Sequence, residues 1–170
     1  MSAKVNTIQA DITQLPVDAV VNAANQAMCG GGGVDGAIHR AAGKGLLEEC
    51  RTMGGCKTGH AKITSAYQLP AKYIIHAVGP VWYGGHKGEA ELLASCYRES
   101  MNLAADNGIR SIAFPAISCG AYRFPLNQAC EIAVKTVLNS LQKHQGITEV
   151  IFACVDKKIE QQLIKQLMLK

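Results

Sequence analysis

A chain of 170 residues has the length of one ordinary domain and can bury a substantial core, so one domain over residues 1–170 is expected. With 48% hydrophobic and 18% charged residues and a mean hydropathy of +0.07, it is neither a disordered segment nor a nucleic-acid-binding tail. The net charge of +4 favours an anionic ligand only mildly, because Lys157, Lys158, Lys165 and Lys170 cluster on the last helical stretch and read as a solvated face.

Val5 to Gln9 and Asp18 to Ala23 are predicted as short strands with a turn at Gln14-Leu15-Pro16 between them, and the second has the unbroken apolar character of a buried strand. Four consecutive glycines, Gly30 to Gly33, then lead into a helix from about Asp35 to Ala42. That helix spaces Val34, Ala37, Ile38, Ala41 and Ala42 along one face, puts Asp35 and His39 one turn apart on another, and can end at Gly43. Leu46 to Arg51 is a second short helix, ended by Gly54-Gly55. His60 to Ala66 and Tyr73 to Val78 read as strands around a turn at Leu69-Pro70. Glu89 to Asp106 carries the longest helical stripe (Leu92, Leu93, Cys96, Met101, Ala104), with Asn107-Gly108 as its stop. Ser111 to Ala116 is another buried strand, opening into the loop Ile117 to Tyr122 and a helix with Pro125 at its first position. Glu149 to Val155 and Lys157 to Leu169 follow as a strand and an amphipathic helix. Strands alternating with helices predict an α/β sandwich, a mostly parallel sheet covered on both faces, with ligands bound beyond the carboxyl ends of the strands.

Seven cysteines without a C-x-x-C pair read as reduced, packed thiols. The first residues lack a secretory apolar segment and no apolar run approaches the ~18 residues of a membrane span, so a cytoplasmic location is the expectation. Cys29, Cys56 and His60 have no zinc-site spacing, so no metal is expected.

The glycine run lets backbone N–H groups approach a ligand without Cβ interference, and the helix behind it offers unpaired donors and a positive dipole end. With Ser118 to Tyr122 as a second close-approach loop, the two bracket a diphosphate. Gly31, Gly33 and Gly36 also match G-x-G-x-x-G, but Asn22 to Cys29 separate them from their strand, and Glu48 and Glu49 lie in a helix where the ribose-binding acid should end a strand. Asn22 and Asn25 either cap loops or meet a ribose, whose vicinal hydroxyls suit an amide. Asp35 either complements the helix dipole or orients a water, with His39 as its neighbour. Asp11 either meets an exocyclic amine or starts the turn at Thr13, and Tyr122 and Phe124 either pack on a sugar or staple the next helix. Ser118 and Cys119 lack an identifiable base and are weak nucleophile candidates.

Gln9 to Thr13, Val20 to Asn25, Gly30 to Gly43, Thr58-Gly59-His60-Ala61, Ile75 to Pro80 and Pro115 to Tyr122 together resemble a MacroD-type macro domain, over residues 5 to about 155. The resemblance implies a three-layer α/β/α macro fold with a mixed, mostly parallel sheet, and no cofactor. It further implies a hydrolase that binds ADP-ribose and cleaves ADP-ribosyl esters, both O-acetyl-ADP-ribose and proteins mono-ADP-ribosylated on Asp or Glu. By motif, Asp11 would meet the adenine amine and Ile12 would make a nearby backbone contact, and Asn22 is counted among the ligand-binding residues. Gly32, Gly33 and Val34 would line one side of the diphosphate and distal ribose, and Ser118, Cys119, Gly120, Ala121 and Tyr122 the other. Asn25 would fix the distal ribose and Asp35 would position the water, with help from a substrate phosphate left open. Val155 stands where many macro domains have an adenine-stacking aromatic, and Lys57 where similar sequences often have proline. The expectation is a monomeric ester hydrolase that binds neither membrane nor nucleic acid. The alternatives are an ADP-ribose-binding reader without turnover and a dinucleotide-dependent oxidoreductase.

Overall fold

The computed structural model describes residues 2–170. Strands β1 (Lys4–Gln9), β2 (Ala19–Ala24), β3 (Ala61–Ser65), β4 (Tyr73–Val78), β5 (Ser111–Phe114) and β6 (Glu149–Cys154) form one sheet in the order β1-β6-β5-β2-β4-β3. Every neighbouring pair is parallel except the edge pair β3 and β4. Helices α1 (Gly33–Ala42), α2 (Lys44–Arg51), α3 (Glu89–Asp106), α4 (Leu126–Lys143) and α5 (Lys157–Met168) cover it.

Period-two alternation along the inner strands divides their apolar side chains between two cores. Ala19 and Val21 of β2, with Ile75 and Ala77 of β4, pack under α3, α4 and α5 against Leu93, Tyr97, Met101, Val134 and Leu163. Val20 and Ala24, with Ile74 and Val78, face the other way and meet Ile38, Ala42, Leu46 and Cys50 of α1 and α2. Burying each large aliphatic side chain contributes roughly 1.5–3 kcal/mol, so both helical layers are held by the sheet. The result is the three-layer, mostly parallel sandwich expected from the sequence.

Several boundaries move for identifiable reasons. Helix α1 starts at Gly33 rather than Asp35, because the Gly36 N–H already reaches the Gly32 carbonyl at 3.1 Å, with Gly33 turning into it at a left-handed φ of 55°. Gly43, at φ 90°, closes α1 by donating to His39 and opens α2 at once, two residues before Leu46. That second helix stops at Arg51, ahead of Gly54 and Gly55. The predicted turn at Gln14 to Pro16 is preceded by a 3-10 helix over Ile12–Gln14. Strand β5 ends at Phe114, since Pro115 has no N–H to give an interior ladder. Pro125 caps α4 from outside instead of occupying its first position: its ψ of 127° is extended and its carbonyl takes the Ala129 N–H at 2.9 Å.

The parallel strands deliver their carboxyl ends to one rim. Along it, in sheet order, lie Asp11 and Val155, the loop after β5, the glycine run after β2, and the segment after β4.

Candidate functional site

The floor of this rim is a buried polar row. Asn22 on β2 is the register partner of His76 on β4, and both sit in the phase of the strands that faces α1 and α2. Asn22 Nδ2 donates to Asp35 Oδ1 at 2.8 Å and lies 3.1 Å from His76 Nδ1. His76 Nε2 lies 3.0 Å from Thr64 Oγ1 on β3, whose hydroxyl donates to the Ser65 carbonyl. Burial, with a smaller push from His39, drives the His76 imidazole down to about 3, so it is neutral.

The first turn of α1 carries Asp35 onto this row, and that side of the helix is less polar-out than its spacing suggested: Asp35 is only 5% exposed. Its Oδ1 is engaged by Asn22, while Oδ2 faces the glycine loop, where a Cβ on Gly31 would lie 3.1 Å from it and 3.3 Å from Asn25 Nδ2. Asp35 and Asn25 thus flank one narrow space that only glycine leaves open. His39 Nε2 stands 3.4 Å from Asp35 Oδ1 without hydrogen-bond alignment, an electrostatic neighbour rather than a formed bond.

Asn25 braces the loop it belongs to: Oδ1 accepts the Met28 N–H and Nδ2 donates to the Gly30 carbonyl, leaving one amide hydrogen free. Gly32 caps α1 with no side chain, so the first-turn N–H groups of Gly33, Val34 and Asp35 have no capping acceptor. Across from them, Ser118 turns the β5 loop through a left-handed φ of 66°. Gly120 and Ala121 are exposed and Tyr122 half-buried at its tip. Ser118 Oγ is buried without a partner, and burial pushes the Cys119 thiol up to about 12, with Cys154 adding, so neither has the activation a nucleophile needs.

Asp11 settles into the turn-starting role, Oδ1 accepting from the Thr13 N–H and hydroxyl, yet the residue stays exposed beside Val155. Ile12 is buried, which leaves only its backbone for a ligand. Phe124 is withdrawn into the core against Trp82, ring centroids 4.8 Å apart, while Tyr122 remains at the rim. Asn22 is likewise withdrawn: fully buried, it faces Asp35 and His76 instead of the open cleft, because the carboxylate needs its amide hydrogen.

Beyond the β2 loop the rim continues into a cleft of about 480 Å³ between Gln26, Thr58, Tyr83, Lys87 and Tyr122. Buried Glu89 holds its wall by accepting N–H bonds from Tyr83, Gly85 and Lys87. Burial raises that carboxyl, but these backbone donors outweigh it and bring it down to about 2. Glu89 and His76 are the residues the sequence reading passed over. The available signal was a lone polar residue in an apolar strand for His76, and an acid opening a helix behind a glycine-rich loop for Glu89. Among the described residues no His, Cys, Asp or Glu cluster is arranged to hold a metal ion, and no helix is long and apolar enough to cross a membrane.

The chain resembles known proteins along almost all of its length. It is 61% identical over 150 residues to a macro domain-containing protein of Chlorobaculum tepidum, covering 88% of this chain and 87% of that one. It is 54% identical over 162 residues to an O-acetyl-ADP-ribose deacetylase of Salmonella newport, covering 93% and 90%. The Trypanosoma brucei macrodomain, solved in complex with ADP-ribose, superposes with a TM-score of 0.91 at 42% identity over 96% of this chain and 68% of its own. The pattern of the macro domain family matches residues 21–133. A family pattern matched over more than half of its residues and relatives above 50% identity along most of its length show that the chain belongs to the macro domain family.

Proposed function

We propose that this macro domain is of the MacroD type: it binds ADP-ribose along the rim and hydrolyses ADP-ribosyl esters, namely O-acetyl-ADP-ribose and proteins mono-ADP-ribosylated on Asp or Glu. The observation that carries the reading is Asp35: nearly buried, anchored through Oδ1, with Oδ2 facing the gap beside Asn25. A relative named for O-acetyl-ADP-ribose deacetylation supports the chemistry, and a relative solved with ADP-ribose supports the ligand.

In this reading Asp11 and the Ile12 backbone hold the adenine end. The N–H groups of Gly32, Gly33 and Val34 meet the diphosphate from one side, and the loop Ser118, Cys119, Gly120, Ala121 and Tyr122 from the other. Asn25 uses its free amide hydrogen on the distal ribose. Asp35 Oδ2 accepts a hydrogen bond from a water and aims it at the ester. Hydrolysis adds the water's hydroxyl to one side of the ester bond and its proton to the other, releasing the carboxylic acid and ADP-ribose. Holding the ester and water at contact distance is the main source of rate, because orientation prepared by binding lowers the barrier by several kcal/mol. The free thiols of all seven cysteines suit a reducing compartment, the cytoplasm.

The test compares wild type with Asp35→Ala on O-acetyl-ADP-ribose and on a peptide ADP-ribosylated at Glu. Turnover is expected to fall by about 10²–10³-fold while calorimetry still detects ADP-ribose binding. Two equally inert proteins that both bind ADP-ribose would instead make the domain a reader.

A further inference from the structure

The polar row beneath Asp35 has one self-consistent arrangement of protons. The Asn22 atom 2.8 Å from Asp35 Oδ1 is the amide nitrogen, which donates to that oxygen. Its second hydrogen points at His76 Nδ1, 3.1 Å away, which is therefore the unprotonated ring nitrogen. The ring proton then sits on Nε2 and is donated to Thr64 Oγ1 at 3.0 Å, and Thr64 gives its own hydroxyl hydrogen to Ser65. Asn22 and His76 are both fully enclosed, so no solvent substitutes for these partners. The other groups near the ring are Cys50 on α2, with Sγ 4.0 Å from Nε2, and His39 on α1, with ring centroids 6.5 Å apart. Neither replaces Asn22 at Nδ1. Asn22 Oδ1 is left buried without a partner, so the amide has reason to turn unless both its hydrogens are held.

We propose that His76 is a positioning residue for ester hydrolysis: fixed by Thr64 as the Nε2–H tautomer, it accepts one Asn22 hydrogen and thereby aims the other at Asp35, leaving Oδ2 for the water. The catalytic consequence rests on the hydrolase reading above; the proton arrangement does not.

Nitrogen NMR of protein labelled at histidine reads that arrangement directly. A pyridine-type Nδ1 and a pyrrole-type Nε2 are expected for His76, and a proton found on Nδ1 overturns the proposal. In kinetics, His76→Asn keeps an acceptor close to the Nδ1 position, whereas His76→Leu has none. His76→Leu should lower kcat about tenfold with KM and ADP-ribose affinity within about twofold, and His76→Asn should recover most of the loss. Equal kcat in wild type and His76→Leu, or equal loss in both variants, overturns the proposal. Thr64→Val keeps the ring and removes only the acceptor of its proton, so it serves if His76→Leu does not fold. A second tautomer in its spectrum and a reduced kcat are expected, and no change in either counts against the assignment. Should wild type hydrolyse neither ester, the hydrolase reading fails, and the wild-type spectrum still decides the tautomer.

Discussion

One oxygen of Asp35 is tied to Asn22 and the other faces glycine, so the carboxylate can hold a water without releasing its anchor. The glycines around it are not equivalent. A methyl on Gly36 would stand 2.5 Å from the Gly31 carbonyl oxygen and 3.1 Å from Arg40 Nη1, so the loop backbone would have to move. Gly36→Ala should therefore destabilise the fold by about 1–3 kcal/mol and weaken ADP-ribose binding, as read by urea unfolding and calorimetry. Gly32 lies in an extended conformation with nothing within 4 Å of its Cβ direction. Gly32→Ala should stay within about 0.5 kcal/mol of wild type in stability, yet lose affinity because the methyl enters the space proposed for the diphosphate. Weakened binding in a fully stable Gly32→Ala protein would separate a ligand effect from a folding one.

At the scale of elements, the pairing of β2 with β4 brings a pH dependence with it. A histidine in the unfolded chain takes its proton near 6.5, and burial on β4, helped by His39, moves that down to about 3. Between the two values the unfolded chain binds the extra proton. The stability that His76 contributes is thus complete above about 6.5 and is lost as pH falls toward 3, by on the order of 1.4 kcal/mol per pH unit. Glu89, lowered from 4.5 to about 2, works in the same direction but only below about 4.5, so the range above that belongs to the histidine. Urea midpoints of wild type should fall across that range, and those of His76→Leu should fall less steeply.

The same elements show what can be read without coordinates. Strand β4 and helix α3 have the bounds their patterns predict, because a short run that is apolar but for His76 and an 18-residue stripe with a clear stop leave little choice. Asp35, Asn25 and the glycine run lie in one short stretch and are legible together as a candidate site. His76 is not, since its partners arrive from β2 and β3, and which strands lie side by side is decided by the packing of the whole sheet. Phe124 misleads for the same reason: its ring could follow the loop or the core, and Trp82, distant in sequence, draws it inward.

For the molecule as a whole, the rim joins loops from strands far apart in sequence, so a ligand lying along it would bind only the assembled sheet. ADP-ribose at a hundredfold excess over its Kd should add roughly 2.7 kcal/mol to unfolding and raise Tm by several degrees. NADH at the same concentration should leave Tm unchanged, and a matching rise would revive the oxidoreductase. The distribution of thiols offers a way to watch such binding. Burial raises Cys50 and Cys154 to about 11 and Cys96, Cys119 and Cys130 to about 12, and Cys56 is buried and raised as well. Cys29 alone among the seven is exposed, and it immediately precedes Gly30. The unmodified protein therefore carries a natural attachment point for a fluorescent maleimide at the mouth of the glycine loop, and dye placed there would report occupancy of the rim without any engineered cysteine.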